Sequence, residues 1–452
     1  MNKQPPLQKN QDLDLTIESL TGEGQGVARV EGYAVFVTGA LPGERVRAHV
    51  IKVTGSYAVA KCIEVLSPSP DRVVPKCPVF DRCGGCALQH LACPAQLLTK
   101  QQQVTDALTR LGGFPNPPVK PVVGMEEPWR YRNKASFPFG SVGGGAVFGF
   151  FAERSHRLIP FSDCPIQDVR TVELADRVTA WANENRIPPY DEITGEGVLR
   201  HVMARVSTTG ETMTVVVTKG PLKKADALIA ALDGVDSVYH NRNDKSTNVI
   251  FGPDFTLLSG KQVISDVIGD SRFSVSPRSF LQVNPVQTRI LYETALDLLS
   301  PEPDETVVDA YCGIGTISLM LAGRCAKVIG IEQVADAIRD AKQNAAENAV
   351  SNASFLCGNV EEILPNLLKE TPDIRSLVLD PPRKGCEESA LAAIGNSAIT
   401  RVAYVSCNPA TLARDAKILA GYGFQLKTVQ PVDMFPQTGH VESVVLMSRK
   451  DK

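Results

Sequence analysis

Val307-Val-Asp-Ala-Tyr-Cys-Gly-Ile-Gly-Thr316 reads as a strand, a glycine loop and the start of a helix. Gly313 and Gly315 let the backbone turn tightly and approach a ligand. A second strand, Val328-Ile-Gly-Ile331, ends on Glu332, 19 residues past Gly313. Strand and helix signals then alternate to the end. Strands are expected at 306–309, 327–331, 354–357, 377–380 and 401–405, with a final pair near 425–429 and 441–447, and a helix over 285–299 precedes them. Such alternation implies a mostly parallel, doubly wound sheet.

Glu332 stands at the spacing at which a carboxylate accepts hydrogen bonds from a ribose. NAD is one alternative, but Ser318 holds the position of the third glycine of its fingerprint. The loop also begins with an acid, Asp309, and carries no lysine for phosphates. A cofactor without a diphosphate fits better, S-adenosylmethionine first among them. A turn without a ligand is the bland reading.

Ser406-Cys407-Asn408-Pro409 directly follows the apolar run 401–405. This sets a thiol at the carboxyl edge of the sheet, where open α/β sheets bind ligands. A free thiol is only a few per cent ionised at neutral pH, yet it is intrinsically nucleophilic. Asp380 ends another strand, in Leu377-Val-Leu-Asp380-Pro-Pro-Arg-Lys-Gly385. Adenine aminomethylases often have an aromatic after such a Pro-Pro; Arg383 stands there, which argues against an exocyclic amine as substrate. Near the end, Phe435-Pro-Gln-Thr-Gly-His440-Val-Glu442-Ser443 offers a carboxylate as a base, provided it is held near the substrate. A cysteine, a methyl donor and a base suit one chemistry. A thiolate adds to C6 of a pyrimidine, C5 takes a methyl group, and the base removes the C5 proton so that the thiol can leave.

At 452 residues the chain is too long for one core. Its 43% hydrophobic and 21% charged residues are those of an ordinary soluble protein. No apolar run approaches the roughly 20 residues of a membrane span, and residues 1–12 lack a signal core, so a cytoplasmic location is expected. The net charge of −3 does not point to nucleic acid, although a local groove can be basic on an acidic protein.

Short strands at 13–17, 26–30, 33–37, 45–53 and 57–65, separated by glycine turns, suggest a small OB-type barrel. Pro68-Ser-Pro70 reads as a linker. A cysteine-rich loop follows, then a helix over 95–110. A mixed α/β module runs on to about residue 270, with a helix over 166–185 and strands at 213–218 and 237–241. The expected domains are 1–68, 69–280 and 281–452 of a multidomain α/β protein. Eleven cysteines in such a chain favour metal ligation or catalysis for a clustered subset. Cys77, Cys83 and Cys86 form one, with Cys93 or Cys164 as a fourth; spacing leaves iron–sulfur and zinc open. Trp129-Arg-Tyr-Arg-Asn-Lys134 interleaves cations and aromatics, suited to phosphates and exposed bases or else to a solvated strand face.

Ser276-Pro-Arg-Ser-Phe-Leu-Gln-Val-Asn284, Asp309-Ala-Tyr-Cys-Gly-Ile-Gly315, Asp380-Pro-Pro-Arg383, Ser406-Cys-Asn-Pro-Ala-Thr-Leu-Ala-Arg-Asp415 and Gly439-His-Val-Glu442 together resemble the bacterial RNA uracil-5-methyltransferase family, specifically its 23S ribosomal RNA branch. The resemblance implies Cys407 as nucleophile and Glu442 as proton acceptor. It implies Gln282, Tyr311, Glu332 and Asp380 as contacts of S-adenosylmethionine, with Asp380 also touching the uracil. Asn359, after the third strand, is expected at the adenine, and Gly315 through its backbone only. It further implies that Cys77, Cys83, Cys86 and Cys164 hold a [4Fe-4S] cluster with a structural, RNA-facing role. The barrel would be a TRAM RNA-binding module ahead of a Rossmann-like methyltransferase domain, and 23S rRNA the partner. Neither DNA nor a membrane is expected, and the sequence identifies no protein partner. The same chemistry on transfer RNA is the near alternative. Cytosine methylation is disfavoured because no Pro-Cys pair surrounds Cys407. A non-catalytic iron–sulfur RNA-binding protein is the alternative of a different class, against which the intact Cys407 and Glu442 speak.

Overall fold

A computed structural model describes residues 5–449; the first four residues of the polar stretch 1–12 lie outside them. Six strands come first: β1 (Asp12–Thr16), β2 (Ser19–Leu20), β3 (Gly26–Val30), β4 (Tyr33–Thr38), β5 (Arg45–Val53) and β6 (Tyr57–Ser67). Their order is β1-β5-β6-β4-β3-β2. The sheet curls into a barrel because β1 and β2 are one interrupted strand. At the break, Ile17 N–H donates to Glu44 O at 2.9 Å, and Glu18 N–H donates to Val27 O at 2.8 Å. Alternate residues such as Val46, Ala48 and Val50 fill the interior.

The cysteine-rich loop leads into α1 (Cys93–Arg110). Its buried residues Gln96, Lys100, Val104 and Leu108 recur every fourth position and so share one face. The central unit contains β7 (Lys134–Val142), β8 (Gly145–Phe151), β9 (Leu158–Pro160), α2 (Val169–Glu184), β10 (Leu199–Val206), β11 (Thr212–Thr218), α3 (Ala225–Ala231), β12 (Ser237–Arg242) and β13 (Asp254–Gly260). Its sheet runs β13-β12-β11-β10-β7-β8-β9, parallel only between β11 and β12. α2 covers one face through Val172, Ala175, Val178 and Trp181. The other face, through Met213, Val215 and Val217, shares a core with the C-terminal unit.

A hairpin, β14 (Ile264–Ile268) and β15 (Ser271–Val275), and α4 (Pro285–Leu299) introduce that unit. There follow β16 (Thr306–Ala310), α5 (Thr316–Ala322), β17 (Lys327–Glu332), α6 (Ala335–Glu347), β18 (Ala353–Cys357), α7 (Val360–Glu370), β19 (Ser376–Leu379), α8 (Glu388–Asn396), β20 (Arg401–Ser406), α9 (Pro409–Gly421), β21 (Gln425–Val432) and β22 (Glu442–Ser448). The order is β18-β17-β16-β19-β20-β22-β21. The first five strands are parallel and β22 is antiparallel to both neighbours. α4, α5 and α6 pack on one face, and α7, α8 and α9 on the other. There Val104 and Leu108 of α1 join them: a helix that precedes the central sheet in sequence belongs to the C-terminal core in space. Strand order reverses between β16 and β19, so the loops after these strands diverge and leave a crevice.

Candidate active site

The glycine loop leaves β16 at that crevice. Tyr311, Gly313 and Gly315 all have positive φ (67°, 55° and 84°). At Gly315 a Cβ would stand 3.2–3.3 Å from Leu319, Ala341 and Phe355, so strain and space both require glycine. Tyr311 is a bulky residue in the same region, a conformation that costs about 1–3 kcal/mol and clusters at ligand sites. Its hydroxyl donates to Glu361 at 3.1 Å. Glu332, at the end of β17, clamps the loop by accepting from Gly313 N–H (3.3 Å) and Val334 N–H (2.8 Å). Ser318, at the missing third glycine, donates to the buried Asp309 at 2.5 Å. The other Asp309 oxygen has no partner. Burial pushes Asp309 up to about 7, helped by the neighbouring Asp380 and Glu332.

Asp380 follows β19, and burial raises it to about 7 as well. Cys407 follows β20 and precedes Asn408, the residue that caps α9. The β20–β22 ladder ends with Ser406 paired to Ser443, and Cys407 and Glu442 are the residues adjoining that last pair, close enough for the Glu442 charge to act on the thiol. Burial, and then Asp380, raise Glu442 to about 8, opposed by Arg383. The Cys407 thiol, half-buried, is pushed up to about 11 by burial and by Glu442, with Arg383 again opposing. Four carboxylates and a thiol therefore converge at a strand-end crevice that favours an incoming positive charge. Gln282 is half-buried in the turn before α4, and Asn359 is exposed at the start of α7 with its amide 3.3 Å from Glu362.

A cleft of about 650 Å³ separates this edge from the barrel, with Lys52 and Tyr57 on one wall and Arg383, Cys407 and His440 on the other. It shares Arg154, Gly439 and His440 with a second cleft of about 610 Å³ that carries Lys61 and Arg82 and reaches Cys83 and Cys86. The lining also holds Glu23, Asp81 and Glu153, with Arg154 paired to Glu23 and Glu153, so the acidic chain has a groove in which cations outnumber acids.

The run 129–134 does not supply that lining. Arg130 forms a double hydrogen bond with Asp163 (2.6 and 2.7 Å). Tyr131 is buried and its hydroxyl donates to Pro436 O at 2.9 Å. The Arg132 guanidinium lies over the Phe435 ring. Arg130 is thus paired within the central unit, and Tyr131 and Arg132 join that unit to the loop before β22, so the expectation of free cations and exposed aromatics there is corrected.

Cys77, Cys83, Cys86 and Cys164 line one small cavity of about 20 Å³, closed by Val79, Phe150 and Phe161. Arg130 holds the last of them in place by donating to Cys164 O at 2.9 Å. Burial pushes Cys86 up to about 12 and Cys164 up to about 11. Cys93 lies elsewhere, at the start of α1, where its sulfur accepts from Gln437 Nε2 at 3.6 Å. Among the described residues, no three His, Cys, Asp or Glu stand close enough to hold a single metal ion.

Arg383 is a side chain of this edge to which the sequence assigned no role. Read only as a missing aromatic, it is the cation facing both Cys407 and Glu442. The available signal was its place, three residues past a strand-ending acid.

Residues 265–450 match the tRNA (Uracil-5-)-methyltransferase family, and residues 6–63 match the TRAM domain. An uncharacterized RNA methyltransferase of Halalkalibacterium halodurans is 48% identical over 99% of both chains. Another, of Bacillus cereus, is 47% identical over 99% of both. Among solved structures, the Pyrococcus abyssi tRNA (uracil-54, C5)-methyltransferase in complex with S-adenosyl-L-homocysteine is 26% identical, with a TM-score of 0.78. The match covers 96% of this chain and 100% of that one.

Proposed function

The chain belongs to the RNA methyltransferases of the uracil-5 family that carry a TRAM domain, and on that premise we propose that it methylates C5 of a specific uridine in 23S rRNA through a covalent adduct. The observation that carries the proposal is that Cys407 and Glu442 adjoin the last β20–β22 pair, Ser406–Ser443, with the Glu442 charge acting on the thiol. S-adenosylmethionine, the family's methyl donor, supplies an electrophilic methyl group on a positively charged sulfur when bound. Tyr311, Gly315 and Glu332 would hold it at the crevice, with Gln282 and Asn359 at its margins. Asp309, Asp380 and Glu442, each raised by burial, fit a cationic group.

Cys407 adds to C6, and electron density moves to C5. Arg383 opposes the burial and the Glu442 charge that hold Cys407 as the thiol, and so lowers the cost of forming the attacking thiolate. C5 takes the methyl group. Glu442 then accepts the C5 proton, the C6–sulfur bond breaks, and Cys407 is regenerated. A carboxylate that ionises near 8 is a stronger base than an ordinary one. Asp380, between cofactor loop and nucleophile, would orient the uracil. Extruding the base costs a few kcal/mol, which contacts along the cationic groove would offset.

The soft, four-thiol donor set suits a [4Fe-4S] cluster on Cys77, Cys83, Cys86 and Cys164. Four thiolates suit zinc as well; the resemblance to the family is what favours the cluster. The cluster would tie the loop to the central unit and take no part in methyl transfer. No described helix is long and apolar enough to cross a membrane, which is compatible with a cytoplasmic enzyme.

Transfer RNA remains the second reading for a specific reason. The Pyrococcus abyssi tRNA enzyme aligns along nearly the whole chain, so the barrel by itself does not select ribosomal RNA. Mapping 5-methyluridine in both RNAs from a strain lacking this protein, complemented with wild type or Cys407→Ala, decides. Loss of one 23S site, restored by wild type alone, is expected. Loss confined to transfer RNA would overturn the ribosomal assignment.

A further inference from the structure

We propose that Gln437 is a positioning residue through which the backbone after Cys86 and helix α1 fix the loop entering Glu442. This rests on the role proposed for Glu442 as the proton acceptor. Residues 433–441 connect β21 to β22. Gln437 lies in their midst, 1% exposed and with φ of 70°. A long non-glycine side chain rarely adopts that backbone, and it persists only where the surroundings over-determine it.

The surroundings do so here. Ala87 N–H and Leu88 N–H, the two amides after Cys86, both donate to Gln437 O (3.1 and 3.0 Å). Gln437 N–H donates to Gln96 Oε1 at 3.1 Å, and Gln96 Nε2 donates to Gln437 Oε1 at 3.0 Å. Gln96 Nε2 also donates to Leu88 O and Leu91 O (3.0 and 2.8 Å), so one buried amide ties the cysteine segment and the catalytic loop together. One turn further along α1, the buried Lys100 donates to Asp433 at 2.5 Å and to Phe435 O at 3.1 Å. At Gly439 a Cβ would overlap the carbonyl oxygen of Gly22 in the barrel. The β-ladder fixes Glu442 from one side. From the other, the chain reaches it through a loop whose middle is held by segments some 340 residues away. A cysteine segment free to shift would carry Gln437, and with it the approach to Glu442.

The reaction separates this role from general support of the fold. Adduct formation and methyl transfer need Cys407, and release needs Glu442, so a misplaced Glu442 slows release alone. The variants are Gln96→Ala, which removes the side-chain bonds from α1, and Gln437→Gly, which keeps the main-chain bonds and the positive φ but deletes the amide. Full-length protein is mixed with a uridine-containing RNA fragment and methyl-labelled S-adenosylmethionine, then quenched. Free methylated RNA is measured against methyl-labelled, detergent-stable protein–RNA adduct. Release is expected to fall about 10- to 100-fold, the scale for a misplaced catalytic group, with labelled adduct persisting. Hydrogen exchange of residues 433–441, measured without RNA, is expected to rise in both variants and in Cys86→Ser. Adduct formation and release falling in proportion, release unchanged, or no change in exchange in Cys86→Ser would overturn the proposal. No adduct from the wild type would defeat the covalent reading instead, and the exchange measurement would still decide whether the cysteine segment holds the loop.

Discussion

The strand-end edge and the cysteine cavity both gather acidic groups, but by opposite means. At the edge, Asp309, Glu332, Asp380, Cys407 and Glu442 each sit at or within a residue of a strand end of one sheet, so ladder hydrogen bonds set their spacing. At the cavity, three cysteines come from an irregular loop and the fourth from the turn after β9, and little regular backbone fixes them. A site built on strand ends is ordered before its ligand arrives. A site built on loops draws much of its order from what it binds.

The sharpest way to break this contrast is to remove one group from each region. Cys407→Ala is expected to abolish methylation of a uridine-containing RNA while thermal unfolding stays close to wild type, since removing one half-buried sulfur opens no enclosed cavity. Glu442→Gln should slow turnover by about 10²–10⁴ and leave methylated adduct on a denaturing gel. Cys83→Ala should behave oppositely, with a marked drop in melting temperature and loss of the brown absorbance of anaerobically purified protein. A colourless wild type as stable as the variant would erase the distinction.

A smaller effect concerns pH. Asp309, Asp380 and Glu442 hold protons in the fold up to about 7, 7 and 8, against about 4 in an unfolded chain. Their contribution to stability is full below that unfolded range and is lost as pH climbs through 7–8. The melting temperature without ligand is expected to fall between pH 5.5 and 8.5, and Asp380→Asn should flatten the fall. S-adenosylmethionine should raise the high-pH value more than the uncharged S-adenosylhomocysteine does; equal protection by both would remove the electrostatic reading of the crevice. The smallest expected change is Arg383→Gln, which takes away the cation opposing the raised Cys407 and Glu442. Its rate–pH profile should move to higher pH with little change in melting temperature.

What could be read from the sequence follows the same division. Strand-end residues announce themselves, because an apolar run stops at Asp309, Asp380 or Cys407 and period and chemistry change together. The helix over 285–299 and the strands of the doubly wound sheet lie within a few residues of their expected bounds. Contacts across hundreds of residues leave no such mark. Nothing local separates Cys164 from Cys93 as the fourth thiol at the cavity. The run 129–134 looks like an RNA-facing surface until Asp163, Pro436 and Phe435 are seen to occupy it. The four-residue repeat of α1 shows a buried face, but not that a sheet three hundred residues later covers it.

Gly439 leaves room for nothing larger than hydrogen where the barrel's Gly22 carbonyl meets it. Module exchange is constrained accordingly. A foreign RNA-binding domain grafted onto this enzyme, or this barrel moved to another, would need a turn presenting bare main chain at that one point. The recruiting and reacting halves can therefore diverge in surface residues far more readily than they can trade partners.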